Sequence, residues 1–441
     1  MSTHYLKGKM LFLICLLTTV FILMSGLQGV ADERKVTGYY YDPDAGKLLP
    51  KYDDLNPREV KAYLEEQEAG YIITTRGSWT YYTDQNGRRV KAIRKVTDAN
   101  GNLVRIDKYF YDENGKVSYI DRMYYNEAGI VTRRYTVDYD EFGKVEGVID
   151  KRYDSYGNLI RAYEYYGYVY HDNGKLKEYS RKDFDGNGNL YRMYSFEFND
   201  QGRRILYDRE DYDTNTGKKI RDYVIRYNDE GKRISYDYKQ YDSLTGNLKR
   251  DYAATYDSQG RTSGVVDKRY DSEGNLERIY EYSNYSYHDN GKLASYTQTV
   301  KNGDGQVTRV FTDHRNEEGQ RTSYTYNWYD PGTGNKTRDY TRTYDSQGRT
   351  SGVVDKRYDS EGNLDRSYEY SGYSYDSNGR LFGYTRTDRD GSGNVLRSYE
   401  YSNRTYDSEG HLIEYTRVDR DADGNVIRTC VWSIDTGWSC S

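Results

Sequence analysis

Proline is almost missing from this chain: 4 residues in 441, against 42 glycines. Aliphatic side chains are scarce as well. Hydrophobic residues make up 35% of the total, nearly half of them aromatic, and mean hydropathy is −1.07. That supply cannot fill the thick core of a large doubly wound α/β enzyme. Disorder is excluded by the opposite argument, because 56 tyrosines are far more aromatic surface than an unfolding composition carries. An excess of positive charge is lacking too: 65 basic residues face 70 acidic ones, for a net charge of −5, so no nucleic-acid partner is expected. Histidine occurs only five times, and no Gly-x-x-x-x-Gly-Lys-Ser/Thr phosphate loop or nucleophile elbow is present.

The N-terminus reads as an export signal. Lys7 and Lys9 precede an uncharged, mostly apolar stretch from Leu11 to Met24, and Gly29-Val30-Ala31 supplies small residues before Asp32. The stretch is short of the roughly 20 residues a spanning helix needs. Cleavage after residue 31 removes two lysines and takes the charge from −5 to −7, with no membrane association expected afterwards; the alternative is an uncleaved anchor. Cys15 leaves with the leader, so only Cys430 and Cys440 remain. Folding the segment between them about Asp435 sets Cys430 opposite Cys440 and Trp432 opposite Trp438. Opposed Cβ atoms lie about 4.5–5.5 Å apart, close to what a disulfide requires. One structural disulfide is expected, consistent with an oxidising compartment and a secreted or cell-surface location.

Between these ends the chain is an array. Turn glycines recur from Gly87 to Gly424, mostly 14 residues apart with some intervals of 15 and 17. The typical unit runs from Gly-Asn/Lys/Arg-Leu/Val to Tyr-x-Tyr-Asp-x-x-Gly, as in GNLVRIDKYFYDENG from Gly101 to Gly115. A longer period overlies it. Thr255–Leu276 and Thr343–Leu364 are identical, and DKRYDSYGNL from Asp150 is a diverged upstream copy. The offsets of 88 and 117 differ by 29, or 14 plus 15, which is two small units: the array changes length by strand pairs.

Each unit reads as one strand and one turn, with Asp opening a type I turn and Gly in the left-handed position. Counted from each glycine, Leu or Val falls at +2, Arg often at +4 and Tyr at +8 and +10, and even spacing implies one shared face. Arg at +4 is then expected beside the preceding strand's Tyr at +8. The other face is a charge mosaic. The fold class expected is all-β: a long antiparallel hairpin array of about 24 strands, rolled into a wide barrel, spiral or shell because so many strands exceed what an open twisted sheet tolerates. The expected organisation is a signal peptide (1–31), an N-terminal cap (32–78), the array (79–427) and a C-terminal disulfide hairpin (428–441). Asn56-Pro57-Arg58-Glu59 gives the cap a short helix near 57–69.

The turn signatures, YDSYGNL at 153–159, YDSQGR at 256–261, YDSEGNL at 270–276 and 358–364 and YDSEGHL at 406–412, resemble the YD repeats of the Rhs and teneurin-like superfamily. That resemblance implies β-hairpins wound into a hollow shell, with adhesion or enclosure of a toxin as the associated functions. Family repeats run nearer 20 residues, and no toxin-like domain follows this array, so enclosure and toxicity do not carry over. A weaker similarity, through SWTYYTDQNG at 78–87, is to choline- or glucan-binding repeats, which want tryptophan in most units.

Candidate sites are few. Asp419, Asp421 and Asp423, followed by Gly424, mimic the first half of a calcium loop, but the twelfth position is Cys430 instead of an acid. The plainer reading is an Asp-rich turn; no cofactor is expected apart from calcium at such tips. His171 and His288 share the turn YHDNG, and Asp376 takes that place in a third copy, which argues for a turn role. Tyr109, Tyr111, Tyr135, Tyr139, Tyr194, Tyr280, Tyr282, Tyr368 and Tyr370 are either core or a ladder for stacking on sugars. The reading that follows is a non-enzymatic surface protein for adhesion or envelope scaffolding, with cell-wall or extracellular polysaccharide or another surface protein as partner. The alternative is a glycan-binding module using Tyr/Arg ladders, and the third a hydrolase with an unrecognised site.

Overall fold

A computed structural model describes residues 36–42, 47–52 and 71–441. The leader and the helix expected near 57–69 lie outside the described residues. Twenty-nine strands, the last being Gly437–Cys440, and no helix occur among the described residues. The chain is all-β, as the repeat implies. It divides into two compact units, one of Met1–Arg94 with Phe110–Lys116 and the other of Lys95–Tyr109 with Val117–Ser441. In the first, Val36–Asp42 pairs with Lys47–Tyr52, and Ile72–Arg76, Trp79–Thr83 and the strand starting at Arg89 form an antiparallel run. In the second, from Val117–Tyr125 to Gly437–Cys440, successive strands pair antiparallel in chain order.

The turns follow from Asp and Gly. In the turn at 112–115 the Gly115 N–H donates to the Asp112 carbonyl (3.1 Å), and the Asp112 Oδ1 accepts from Asn114 and Lys116 N–H. Gly115 has φ +77°, where a Cβ would be strained. Turns two strands apart are laced together along both sheet edges. The His171 Nε2 lies 2.9 Å from the Phe198 carbonyl and His288 Nε2 2.9 Å from that of Arg315, so both histidines hold neighbouring turns. Asn247 and Asn335 side chains donate to the carbonyls of Ser272 and Ser360.

The register corrects the expected facing of the side chains. At the hairpins joining the array strands from Val117–Tyr125 to Val426–Ser433, the strand body is offset by one residue from the first pair, whereas the C-terminal disulfide hairpin pairs without a shift. Tyr139 pairs with Val145, but Asp138 pairs with Gly147, Val137 with Val148 and Tyr135 with Asp150. The extra residue is a β-bulge, and a bulge of one reverses the alternation of side chains. Body positions therefore pair +4 with +9, +6 with +7 and +8 with +5. One face collects the even positions of one strand and the odd positions of the next. The rule that +2, +4, +8 and +10 share a face fails at the bulge, and for +4 and +8 it describes only every second strand. The unit that repeats on a face is thus the two-strand hairpin. This matches growth by 29 residues.

The aromatic face is not packed with aliphatics. Val137, Val148, Ala254, Val265, Val300, Phe311 and Val353 are buried on it, but so are Asp107, Asp150, Asp183, Asp211, Asp267, Asp313, Asp355 and Asp419. The C-terminal hairpin closes as expected: Cys430 pairs with Cys440 and Trp432 with Trp438, and the disulfide joins Cα atoms 4.0 Å apart.

Hairpin parity yields a direct test. Deleting the two units between Gly217 and Gly246 keeps every remaining strand on its proper face, whereas deleting the single unit between Gly260 and Gly274 inverts all that follow. The first deletion should preserve a cooperative melt and the near-ultraviolet dichroism of ordered tyrosines; the second should lose both.

Candidate binding pocket on the aromatic face

Each buried aspartate on this face is clamped by arginine. Arg133 donates to Asp150 through Nε (2.8 Å) and Nη2 (3.0 Å), and Arg152 approaches from the same strand as Asp150. The copies repeat it: Arg250 and Arg269 hold Asp267, and Arg338 and Arg357 hold Asp355. Arg192 and Arg209 share Asp211, Arg315 and Arg321 share Asp313, and Arg417 and Arg428 share Asp419. The guanidinium groups lie against rings in turn. Arg181, bonded to Asp183, has the rings of Tyr194, Tyr163 and Tyr165 at 4.5, 5.3 and 5.6 Å. Arg386 has Tyr368, Tyr399 and Tyr370 at 4.8, 5.3 and 5.8 Å.

The tyrosines named from sequence are half-buried. Tyr135, Tyr194, Tyr280, Tyr282, Tyr368 and Tyr370 lie in the bodies of aromatic-face strands, and Tyr109 and Tyr139 likewise show partial burial. Tyr111 has Arg89 5.7 Å from its ring. Arginine does sit on tyrosine, as expected, but one position from the expected partner: Arg133 lies over Tyr124, 5.7 Å away. The aspartates 419, 421 and 423 are not brought together. Asp419 is in a strand and fully engaged by two arginines, while Asp421 accepts turn N–H groups from Asp423 and Asn425. Among the described residues no three acidic, His or Cys side chains group as metal ligands.

The 17-residue units depart from the pattern, and there the pocket forms. Ten residues past the turn glycine each has a left-handed residue: Gly167, Asn284, Gly372 and Asn403, with φ of 67°, 53°, 63° and 54°. The ladder of Leu364–Tyr375 with Leu381–Asp390 shifts between Ser371 and Ser374, the stretch that holds Gly372. The next residue is thereby laid on the ring of the adjoining strand. Tyr168 stacks on Tyr179 at 5.5 Å, Tyr285 on Tyr296 at 5.8 Å and Tyr373 on Tyr384 at 5.4 Å. In the fourth unit the residue is Arg404, 5.3 Å from Tyr384 and 5.2 Å from Tyr415. Three residues after each left-handed position a tyrosine hydroxyl donates to a distant carbonyl, as Tyr375 does to Thr350 (2.6 Å), with Arg349 4.5 Å from the Tyr375 ring.

Two such units, Leu364–Tyr375 and Val395–Tyr406, flank one strand near the C-terminal end, and they share with the preceding hairpin an open pocket of about 550 Å³ whose walls include Arg342, Tyr344, Tyr370, Tyr373, Tyr384 and Arg404. Burial, reinforced by Tyr384, pushes the Tyr373 hydroxyl up to about 12, so it stays a neutral donor at physiological pH. Sequence reasoning did not single out Arg342, Tyr373, Tyr384 or Arg404. The signal was available in the 17-residue interval and in the residues that replace these arginines in other copies.

No known protein family matches the chain, and no curated protein matches its sequence. Among solved structures, the TcdB2-TccC3 crystal structure aligns with 91% of this chain and 31% of its own length, at 11% identity and a TM-score of 0.12. The Photorhabdus luminescens Tc holotoxin pore aligns with 80% of this chain and 27% of that chain, at 15% identity and a TM-score of 0.11. A porin-like protein from Bacteroides uniformis aligns with 64% of this chain and 97% of its own, at 10% identity and a TM-score of 0.13. This chain spans about a third of the first of these, and at such TM-scores the likeness decides nothing about its arrangement.

The charges give a pH signature with two signs. Burial alone would raise Asp211, but hydrogen bonds from Arg209 and Arg192 outweigh it and hold the carboxyl below the ordinary range; Arg428 and Arg417 do the same for Asp419. Stability from these clamps is present above the unfolded value of about 3.9 and is lost as pH falls through the depressed folded values. On the opposite face Asp208 is raised to about 6 by burial and by Asp222 and Glu210, and its Oδ1 has no hydrogen-bond partner. Its contribution runs the other way, present below about pH 4 and lost as pH rises through 6. Melting temperature should therefore fall steeply below about pH 4. Asp208→Asn should stabilise by about 1–2 kcal/mol above pH 6, after discounting for solvent, with no gain at pH 4, as read by urea titration at both values.

Proposed function

We propose that this chain is a secreted or cell-surface repeat protein without enzymatic activity, serving adhesion or envelope scaffolding. The observation that carries the reading is the run of hairpins from Val117 to Cys440, whose aromatic-face carboxylates are committed to arginine clamps and whose turns are tied to one another along the edges. The export-like leader, the Cys430–Cys440 disulfide and the likeness of the turns to Rhs and teneurin-like YD repeats support the location and the class. A second reading, a glycan-binding module, is favoured by the stacked tyrosines and the cavity beside Tyr373. The partner is then a cell-wall or extracellular polysaccharide; under the first reading it is another surface protein or the envelope itself. Antibody against the array should label intact producing cells or their culture fluid, and the purified chain should turn over nothing in a broad hydrolase screen. Retention inside the cell contradicts the location, and turnover contradicts the non-enzymatic role.

A further inference from the structure

The cavity beside Tyr373 differs from its counterparts in charge. Copies of the array align Arg342 with Ala254 and Val137, each paired across the ladder with a valine: Arg342 with Val353, Ala254 with Val265 and Val137 with Val148. The fold therefore accepts a small apolar residue at this place, twice in this same chain. Arg404 likewise occupies the position held by Tyr168, Tyr285 and Tyr373 in the other 17-residue units. Neither arginine has the carboxylate that clamps Arg133, Arg250 or Arg338. Among the described residues Arg342 bonds the hydroxyls of Thr350 and Tyr324 and lies 5.3 Å from Tyr344, and Arg404 lies between the rings of Tyr384 and Tyr415 with its Nε buried and unbonded. Half-buried guanidinium groups without a counter-ion are costly in a sheet that neutralises so many of the others.

We propose that this pocket binds an acidic sugar, a pyranose ring carrying a carboxylate, as found in uronic-acid polysaccharides. The tyrosines provide flat faces for the ring, and the stacked pair Tyr373–Tyr384, 17° from parallel, forms the wall. Carboxylates on separate sugars of one chain take the places that aspartate fills elsewhere, one giving Arg342 and another giving Arg404 the planar acceptor that guanidinium prefers. A cavity of about 550 Å³ has room for a short oligosaccharide segment. The proposal rests on the glycan-binding reading and adds the charge of the sugar and the residues that recognise it.

The test is calorimetric titration of the full mature chain with tetragalacturonate, its methyl ester, a neutral oligosaccharide panel and inorganic phosphate. Two variants borrow residues from the copies: Arg342→Ala and Arg404→Tyr, with thermal melts confirming that each folds. Tetragalacturonate should bind, and each variant and the methyl ester should weaken binding about tenfold or more, since a lost charge-assisted bond exceeds the 1.4 kcal/mol that a factor of ten represents. Should the ester bind as well as the acid, or folded variants bind like the parent, the charge recognition proposed is wrong. Phosphate competing as strongly as the uronate overturns the sugar part, leaving a general anion site. Binding of neutral glycans alone overturns this proposal while the glycan-binding reading stands; binding of none overturns both.

Discussion

A carboxylate out of reach of water is tolerable only when positive charge and hydrogen bonds replace the water, and the aromatic face of this sheet is organised around meeting that condition repeatedly. Asp150, Asp267 and Asp355 lie under paired arginines in three copies of one motif, and Asp211, Asp313 and Asp419 in variants of it. Tyrosine rings flank the guanidinium groups and screen them from solvent, and some hydroxyls accept from donors the carboxylates leave over, as Tyr194 does from Arg192. A chain poor in aliphatic residues thus obtains a dense layer from polar atoms that satisfy one another. Burying a polar network is favourable only when it is completely paired, which accounts for the regularity of the pattern from hairpin to hairpin.

That layer depends on the bulge at the start of the strands. Because one extra residue reverses side-chain alternation, arginine at +4 and tyrosine at +6 of one strand meet +9 and +7 of the next, where arginine and aspartate wait respectively. The consequence is a two-strand quantum of growth. The 17-residue units modify the same scheme with a left-handed residue that lays one more side chain on the aromatic face, and two of them share the open pocket that the preceding hairpin completes with Arg342 and Tyr344.

Much of this was legible in the residues. The strand-turn unit, the glycine-bulged turns, the turn role of His171 and His288 and the pairing of Cys430 with Cys440 all follow from local spacing, because each is decided within one hairpin. Facing was misread for every second strand, since a bulge leaves no mark on composition and shifts parity silently. Asp150, Asp183, Asp211, Asp267, Asp355 and Asp419 were absorbed into the charge mosaic for that reason: at +7 and +9 they counted as outward. The pocket was missed because its walls come from five successive strands, a relation visible only once strands are laid next to each other. Asp419 shows the same limit, reading as part of an acidic turn but lying in a strand beneath Arg417 and Arg428.

The interaction most open to measurement is the Arg338–Asp355 pair, joined at 2.7 and 2.8 Å. A double-mutant cycle with Arg338→Met and Asp355→Leu, read by urea denaturation, isolates its coupling. Each single change should cost about 1–2 kcal/mol, because Arg338 keeps some access to solvent and Arg357 stays within 3.8 Å of the carboxylate, and the double change should cost clearly less than the sum. Additive effects within about 0.5 kcal/mol would contradict the account, because the carboxylate and the guanidinium would then be independent and the layer would owe its stability to something else.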